Sequence, residues 1–124
     1  MRVVADASAL AAILLDEEGA DGVAAKLQGA TLCAPELLKF ELANAVLKKA
    51  RRQPDRAAAV LQRLADGLDA FRKIQWHDVN AIDVAVLAHV TGLSVYDASY
   101  LWLAGWLEAD LVTLDKRLGS CLRG

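Results

Sequence analysis

The sequence predicts an α/β fold: a parallel sheet of four strands with helices on both faces. Two observations carry this. Short apolar runs of strand character alternate with helical stretches along the whole chain. Glycine (8) and proline (2) are few among 124 residues, which argues against a turn-rich all-β fold and against disorder. Apolar residues make up 56 %, enough for a substantial core, and the length suits one domain over residues 1–124.

Arg2 to Ala5 is a short β-branched run and reads as a buried first strand. Ser8 to Leu15 (SALAAILL) has helical composition and ends in the solvated DEEG. Ala20 to Leu27 is a second short helix, closed by Gly29, and Thr31 to Ala34 (TLCA) is the second strand. Pro35 stands where a helix favours its first residue, so the next helix is expected from Pro35 to about Arg52. Its apolar Leu38, Leu42, Ala45 and Val46 recur at helical spacing, and Lys48 and Lys49 near its end favour the macrodipole. Pro54 restarts the chain, and Asp55 to about Gly67 is another helix. Phe71 to Trp76 is the expected third strand. Asp78 is expected to cap a helix running to Thr91, where Gly92 ends it. Ser94 opens a helix through Trp106, and Asp110 to Leu114 (DLVTL) is the last strand before a short helical tail.

Net charge is −2, so nothing global marks a nucleic-acid binder, and any such role must come from a local patch. Cys33 and Cys121 suit a reducing compartment and match no zinc spacing. Asp6 interrupts what would be a signal peptide's apolar region, and no uncharged apolar stretch is long enough to span a bilayer. A cytoplasmic domain without membrane contact is expected.

In an open parallel sheet, chemistry gathers outside the carboxyl ends of the strands. Asp6 directly follows the first strand, and Asp115 follows the last, with Thr113 two residues earlier. Glu41 and Asp97 each border an apolar stripe on their helices. Each acid also has a purely structural explanation. Asp6 and Asp115 could cap the helices that follow them, and Ser94 and Asp97 form an S-x-x-D capping box. Together the four are harder to explain that way. Four carboxylates at one pocket repel, and burial raises their pKa values. A divalent cation would neutralise them, and oxygen-only ligands suit magnesium or manganese rather than zinc.

The segments "VVADASAL", "ELLKFELANAV", "LSVYDASYLWLA" and "DLVTLDKRL", in this order and spacing, resemble a PIN domain. More narrowly, they resemble the VapC-type ribonuclease toxins of prokaryotic type II toxin–antitoxin pairs. The resemblance spans nearly the whole chain. It implies an α/β/α sandwich and a metal-dependent endoribonuclease leaving 5′-phosphate and 3′-hydroxyl ends. The family's acidic quartet falls on Asp6, Glu41, Asp97 and Asp115, and its small hydroxyl positions fall on Ser8 and Thr113. Asp6 and Asp97 are expected as the main ligands of Mg2+ or Mn2+, with Asp115 and Glu41 acting through water or a second ion. Asn44, one turn beyond Glu41, is a supporting polar residue. The resemblance further implies a homodimer and an antitoxin partner that inserts a helix and a basic residue into the acidic groove. Family members continue into a fifth strand. This sequence stops at Gly124, soon after GSCLRG, so that strand is expected to be missing or very short.

The run KKARRQPDR reads either as a solvated helix end or as phosphate contacts for RNA. Lys48, two turns beyond Glu41, is the best candidate, followed by Lys116 and Arg117. Trp102 and Trp106 are expected to pack in the core, with a dimer interface as the alternative. His77 and His89 stand apart from every motif acid, Asp83 is expected on an exposed helix face, and Asp110 is at the wrong end of its strand. Two other functions compete. A receiver-like phosphoacceptor domain needs an acidic pair after the first strand and a lysine after the last, and leaves Glu41 and Asp97 unexplained. A PIN-like RNA-binding or scaffold module without activity usually lacks one or more of the acids, and here all four are present.

Overall fold

A computed structural model describes residues 1–122. Four strands form one sheet: β1 (Arg2–Ala5), β2 (Thr31–Pro35), β3 (Gln75–His77) and β4 (Asp110–Val112). All neighbours are parallel, in the order β3-β2-β1-β4. The helices are α1 (Ala7–Leu14), α2 (Ala20–Leu27), α3 (Leu37–Arg52), α4 (Ala57–Ala70), α5 (Ala81–Thr91), α6 (Val95–Leu107) and α7 (Lys116–Cys121). A 3-10 turn over Pro54–Arg56 joins α3 to α4.

The strand order fixes the layers. Steps from β1 to β2 to β3 run one way across the sheet, and right-handed crossovers put α1 to α4 on one face. The return from β3 to β4 passes over the opposite face and carries α5 and α6 there. Contacts agree: α1, α3 and α4 pack on one another, while α6 packs on α5 and on β1, β2 and β4. Covered on both sides, β1 is apolar on both: Val3, Val4 and Ala5 are all buried. The long helix α3 buries Leu38, Leu42, Val46 and Ala50, a four-residue repeat that aims one stripe at the core. Each fully buried leucine contributes about 1.5–3 kcal/mol relative to exposure.

Several boundaries differ from expectation. Pro35 does not start α3. It ends β2, opposite His77 of β3, and β2 pairs with β1 only as far as Cys33. Its missing N–H is tolerated at a strand's end, past that last pairing with β1. The third strand is shorter and later than Phe71 to Trp76, because residues 71–73 form a turn. Asn80, not Asp78, caps α5 by accepting from the Asp83 N–H at 3.0 Å. The helix expected from Asp55 begins as the 3-10 turn and extends beyond Gly67 to Ala70. The last strand ends at Val112 rather than Leu114, since the next residues turn to carry side chains into the site. Trp102 packs against the core, but Trp106 is 71 % exposed. Their rings stack at 5.4 Å, so the outer ring is held by the inner one and not by the core. A fifth strand beyond Leu122 would lie outside the described residues.

Among the described residues, no single helix is long and apolar enough to cross a membrane. The pair α5 and α6 meets that composition only when taken together, across a 107° bend.

Candidate active site

The register of β1 on β4 builds the first half of the site. Ala5 lies opposite Val112, so the residues that follow, Asp6 and Thr113, emerge side by side at the carboxyl end of the sheet. The Asp6 N–H still donates to the Val112 carbonyl at 3.2 Å, which fixes Asp6 before its side chain is placed. Asp6 is buried. Its Oδ1 accepts from the Ser8 hydroxyl at 2.7 Å and from the Ala9 N–H at 3.1 Å. Its Oδ2 accepts from the Thr113 hydroxyl at 2.6 Å. Ser8 and Thr113 are therefore tied to Asp6 and also brace the next loop. Ser8 Oγ accepts from the Leu114 N–H at 3.0 Å, and Thr113 Oγ1 accepts from the Asp115 N–H at 3.0 Å.

Asp115 follows β4 and caps α7, its Oδ1 accepting from the Leu118 N–H at 2.9 Å. Both strand-end acids are thus helix caps, as the structural explanation expects. Asp97 differs. Ser94 caps α6 by accepting from the Asp97 N–H at 3.1 Å. The reciprocal bond of a capping box, from the serine N–H to the acid's carboxylate, is not made. Among the described residues the Asp97 carboxylate has no hydrogen-bond partner, so half of the box is formed and the acid is left free.

Glu41 lies half-buried on α3, and its Oε1 accepts a hydrogen bond from the Tyr100 hydroxyl of α6. Tyr100 is a fully buried side chain that sequence alone did not assign to the site. Its partner is 59 residues away, and the only sequence signal is that a buried tyrosine hydroxyl needs an acceptor. The contact joins the two helical layers across the end of the sheet.

The electrostatics link the four acids. Burial raises the pKa of Asp6, opposed by its bonds from Thr113, Ser8 and Ala9, and the Asp115 charge raises it further. Burial also raises Glu41, opposed by Tyr100, with Asp97 and Asp6 adding to the rise. Burial and the neighbouring carboxylates push the Tyr100 hydroxyl up, so it stays a donor. The acids feel one another without forming a closed shell: among the described residues, no three His, Cys, Asp or Glu are grouped to hold a metal ion as they stand. The donor set itself is that of a hard cation, carboxylate oxygen throughout. A carboxylate offers about four lone-pair sites, and Asp6 has three bonds on them, so an acceptor site on Oδ2 is left.

A groove of about 310 Å³ leads away from Glu41, lined by Asn44, Lys48, Lys49 and Arg52 of α3 and by Glu17. Lys49 is paired with Glu17 at 3.2 Å, which leaves Lys48 and Arg52 as exposed cations of the groove. Lys116 lines a second hollow beside Thr113 and Asp115. Arg117 does not join it, because its guanidinium donates to the Gly92 carbonyl at the end of α5. Gly92 itself takes φ +75° there, the left-handed turn that glycine closes without strain. His77 and His89 line none of these hollows, and Asp83 and Asp110 are exposed away from them.

Comparison with known proteins now bears on this arrangement. The PIN domain profile matches residues 3–120. Ribonuclease VapC3 of Pyrobaculum aerophilum is 35 % identical over 124 residues, covering 97 % of this chain and 94 % of that protein. The chain belongs to the PIN domain family, among its VapC-type members. The crystal structure of PAE2754 from Pyrobaculum aerophilum superposes on this PIN domain with a TM-score of 0.76 and 30 % identity, over 95 % of this chain and 82 % of that one. VapC20 of Mycobacterium tuberculosis, a sarcin–ricin loop cleaving toxin, shares the fold at a TM-score of 0.70, with 10 % identity over 96 % and 94 % of the two chains. In the PIN domain, the elements that deliver the acids are β1, α3, α6 and the turn after β4.

Proposed function

We infer that this PIN domain is an endoribonuclease, the toxin of a VapBC-type toxin–antitoxin pair, and that it hydrolyses RNA phosphodiester bonds at Asp6, Glu41, Asp97 and Asp115. One observation supports this most directly. In a chain 35 % identical to a VapC ribonuclease, four acids from separate elements act on one another at the carboxyl end of the sheet. Held by these acids, Mg2+ or Mn2+ would lower the pKa of a water molecule and offset the charge that builds on the phosphate.

The chain's own residues supply the rest. Asp6 and Asp97 would be the main ligands of such an ion, Asp6 held in place by Ser8 and Thr113 and Asp97 carrying no hydrogen bond on its carboxylate among the described residues. Glu41, with its raised pKa, is suited to take the proton from the attacking water. The Tyr100 hydroxyl engages Glu41 Oε1, which leaves Oε2 to act as the base. Asn44 and Lys48 line the way out along α3, and Lys48 meets the phosphates of the strand. An antitoxin covers this groove, its basic residue meeting the same acids. The chain works in the cytoplasm, where its two cysteines remain free thiols. It acts as a homodimer: α5 leaves Ile82, Val86 and Val90 exposed at four-residue spacing, an apolar stripe for a second copy to cover.

The test is cleavage of cellular RNA by the purified chain with magnesium or manganese. Cleavage that stops in EDTA and in Asp97→Asn is expected, as is a melting temperature that rises with manganese in the wild type but not in that variant. Full cleavage in EDTA overturns the metal-dependent reading. Absence of both cleavage and metal binding favours an inactive scaffold module.

A further inference from the structure

A third hollow also borders Glu41, and its aromatic lining has no part in the chemistry above. It has a volume of about 350 Å³ and is lined by Leu37, Phe40, Glu41, Asn44 and Tyr96. Phe40 and Tyr96 are 77 % and 64 % exposed, although both are large aromatics in a chain with few of them. Each stands one residue before a site acid, Phe40 before Glu41 on α3 and Tyr96 before Asp97 on α6. Leu37, Glu41, Asn44 and Lys48 follow one another at steps of four, three and four residues, with Phe40 three beyond Leu37 and four before Asn44, so they share one side of α3. Glu41 and Asn44 line both this hollow and the cationic groove. One path therefore runs from Lys48 past Glu41 to the two aromatic rings.

We propose that the Phe40–Tyr96 hollow is a nucleobase subsite, in which a base of single-stranded RNA next to the scissile phosphate stacks on the aromatic rings. The inference rests on the ribonuclease reading and adds a subsite to it. The combination is the one that single-strand binders use: cations for the backbone beside aromatic faces for the bases. The volume sits at the small end of pockets that hold small molecules, about 300–1,000 Å³, which suits one base rather than a partner helix. Asn44 adds an amide with donors and an acceptor at the edge of the hollow, able to pair with a base edge. A base stacked here gives the RNA a fixed register against Glu41 and Asp97.

The experiment uses short single-stranded oligoribonucleotides carrying one 2-aminopurine at successive positions, bound to the chain in EDTA and then cleaved with manganese. Quenching of the fluorophore at one position beside the cleaved bond is expected, lost in Phe40→Ala and Tyr96→Ala and retained in Tyr96→Phe. In cleavage, each alanine variant is expected to raise KM about tenfold, the scale of one stacked base, with kcat held within about twofold. Asn44→Ala is expected to flatten the base preference at that position. Quenching at no position, or quenching and KM unchanged in the double alanine variant, overturns the subsite. So does a double variant that keeps both while losing its affinity for a protein antitoxin. A wild type that cleaves no RNA overturns the ribonuclease reading, a different failure from a wild type that cleaves as its variants do. Both aromatic rings are exposed, and far-ultraviolet circular dichroism verifies that the variants fold.

Discussion

At the scale of single residues, Asp6 is where the proposed catalytic role and a folding role can be measured apart. It caps α1 through Ala9 and also receives Ser8 and Thr113. Asparagine caps about as well as aspartate, so Asp6→Asn is expected to change stability by less than about 1 kcal/mol. Loss of an outer partner of a metal site costs about 10–100-fold in metal affinity or activity, and Asp6→Asn is expected to exceed that in cleavage rate. Thr113→Val, which removes the donor to Oδ2 and the acceptor for Asp115, is expected to fall within it. Parallel denaturation and cleavage assays measure both. Glu41 gives a pH signature. Its pKa and that of Asp6 are raised in the folded chain, first by burial, so folding binds protons. The stabilisation from the protonated carboxyls is full below their unfolded pKa and is lost as pH rises through the raised folded values. Glu41→Gln is therefore expected to raise the melting temperature of the metal-free chain at neutral pH, and the gain should shrink on acidification. A gain that grows with acid would contradict the assignment.

At the scale of elements, α3 joins the core to the site. Its inner stripe is fully buried, so Leu42→Ala is expected to cost about 2–5 kcal/mol in chemical denaturation. Its outer face is free of such duty. Lys48→Ala is expected to leave stability within about 0.5 kcal/mol. It should flatten the salt dependence of RNA affinity by about one unit of slope, as a single phosphate contact does. This helix was readable in the sequence because its apolar period is long and regular. Its start was not, since proline is equally at home ending a strand and opening a helix, and only the partner His77 decides between them. The third strand was misplaced for a related reason. A three-residue edge strand carries too little pattern to fix its own register, and β2 sets it from outside. The strand-end acids were legible because topology alone puts them at one end of the sheet. Tyr100, Phe40 and Tyr96 were not, because a buried hydroxyl's acceptor and a ring's exposure depend on which helices cross.

At the scale of the molecule, the charge is nearly balanced at −2, and what matters is where the charges lie. The acids gather at the sheet's carboxyl end, and the exposed Lys48 and Arg52 of α3 stand just outside them. The other side of the molecule carries the stripe of Ile82, Val86 and Val90 on α5. Val86→Asp is expected to convert a dimer into monomers in light scattering without unfolding the chain, because Val86 is 60 % exposed. A monomeric wild type would overturn the dimer, and a dimer untouched by that change would move the interface elsewhere.

The half-formed capping box at α6 has a consequence for descent. Asp6 and Asp115 each hold a helix end, so a lineage released from selection for cleavage would still keep a capping residue at both positions. Asp97 holds no side-chain bond among the described residues, and Ser94 caps α6 without it. Drift would erase Asp97 first. Its presence separates a working copy from a silent one better than the more deeply buried Asp6 does.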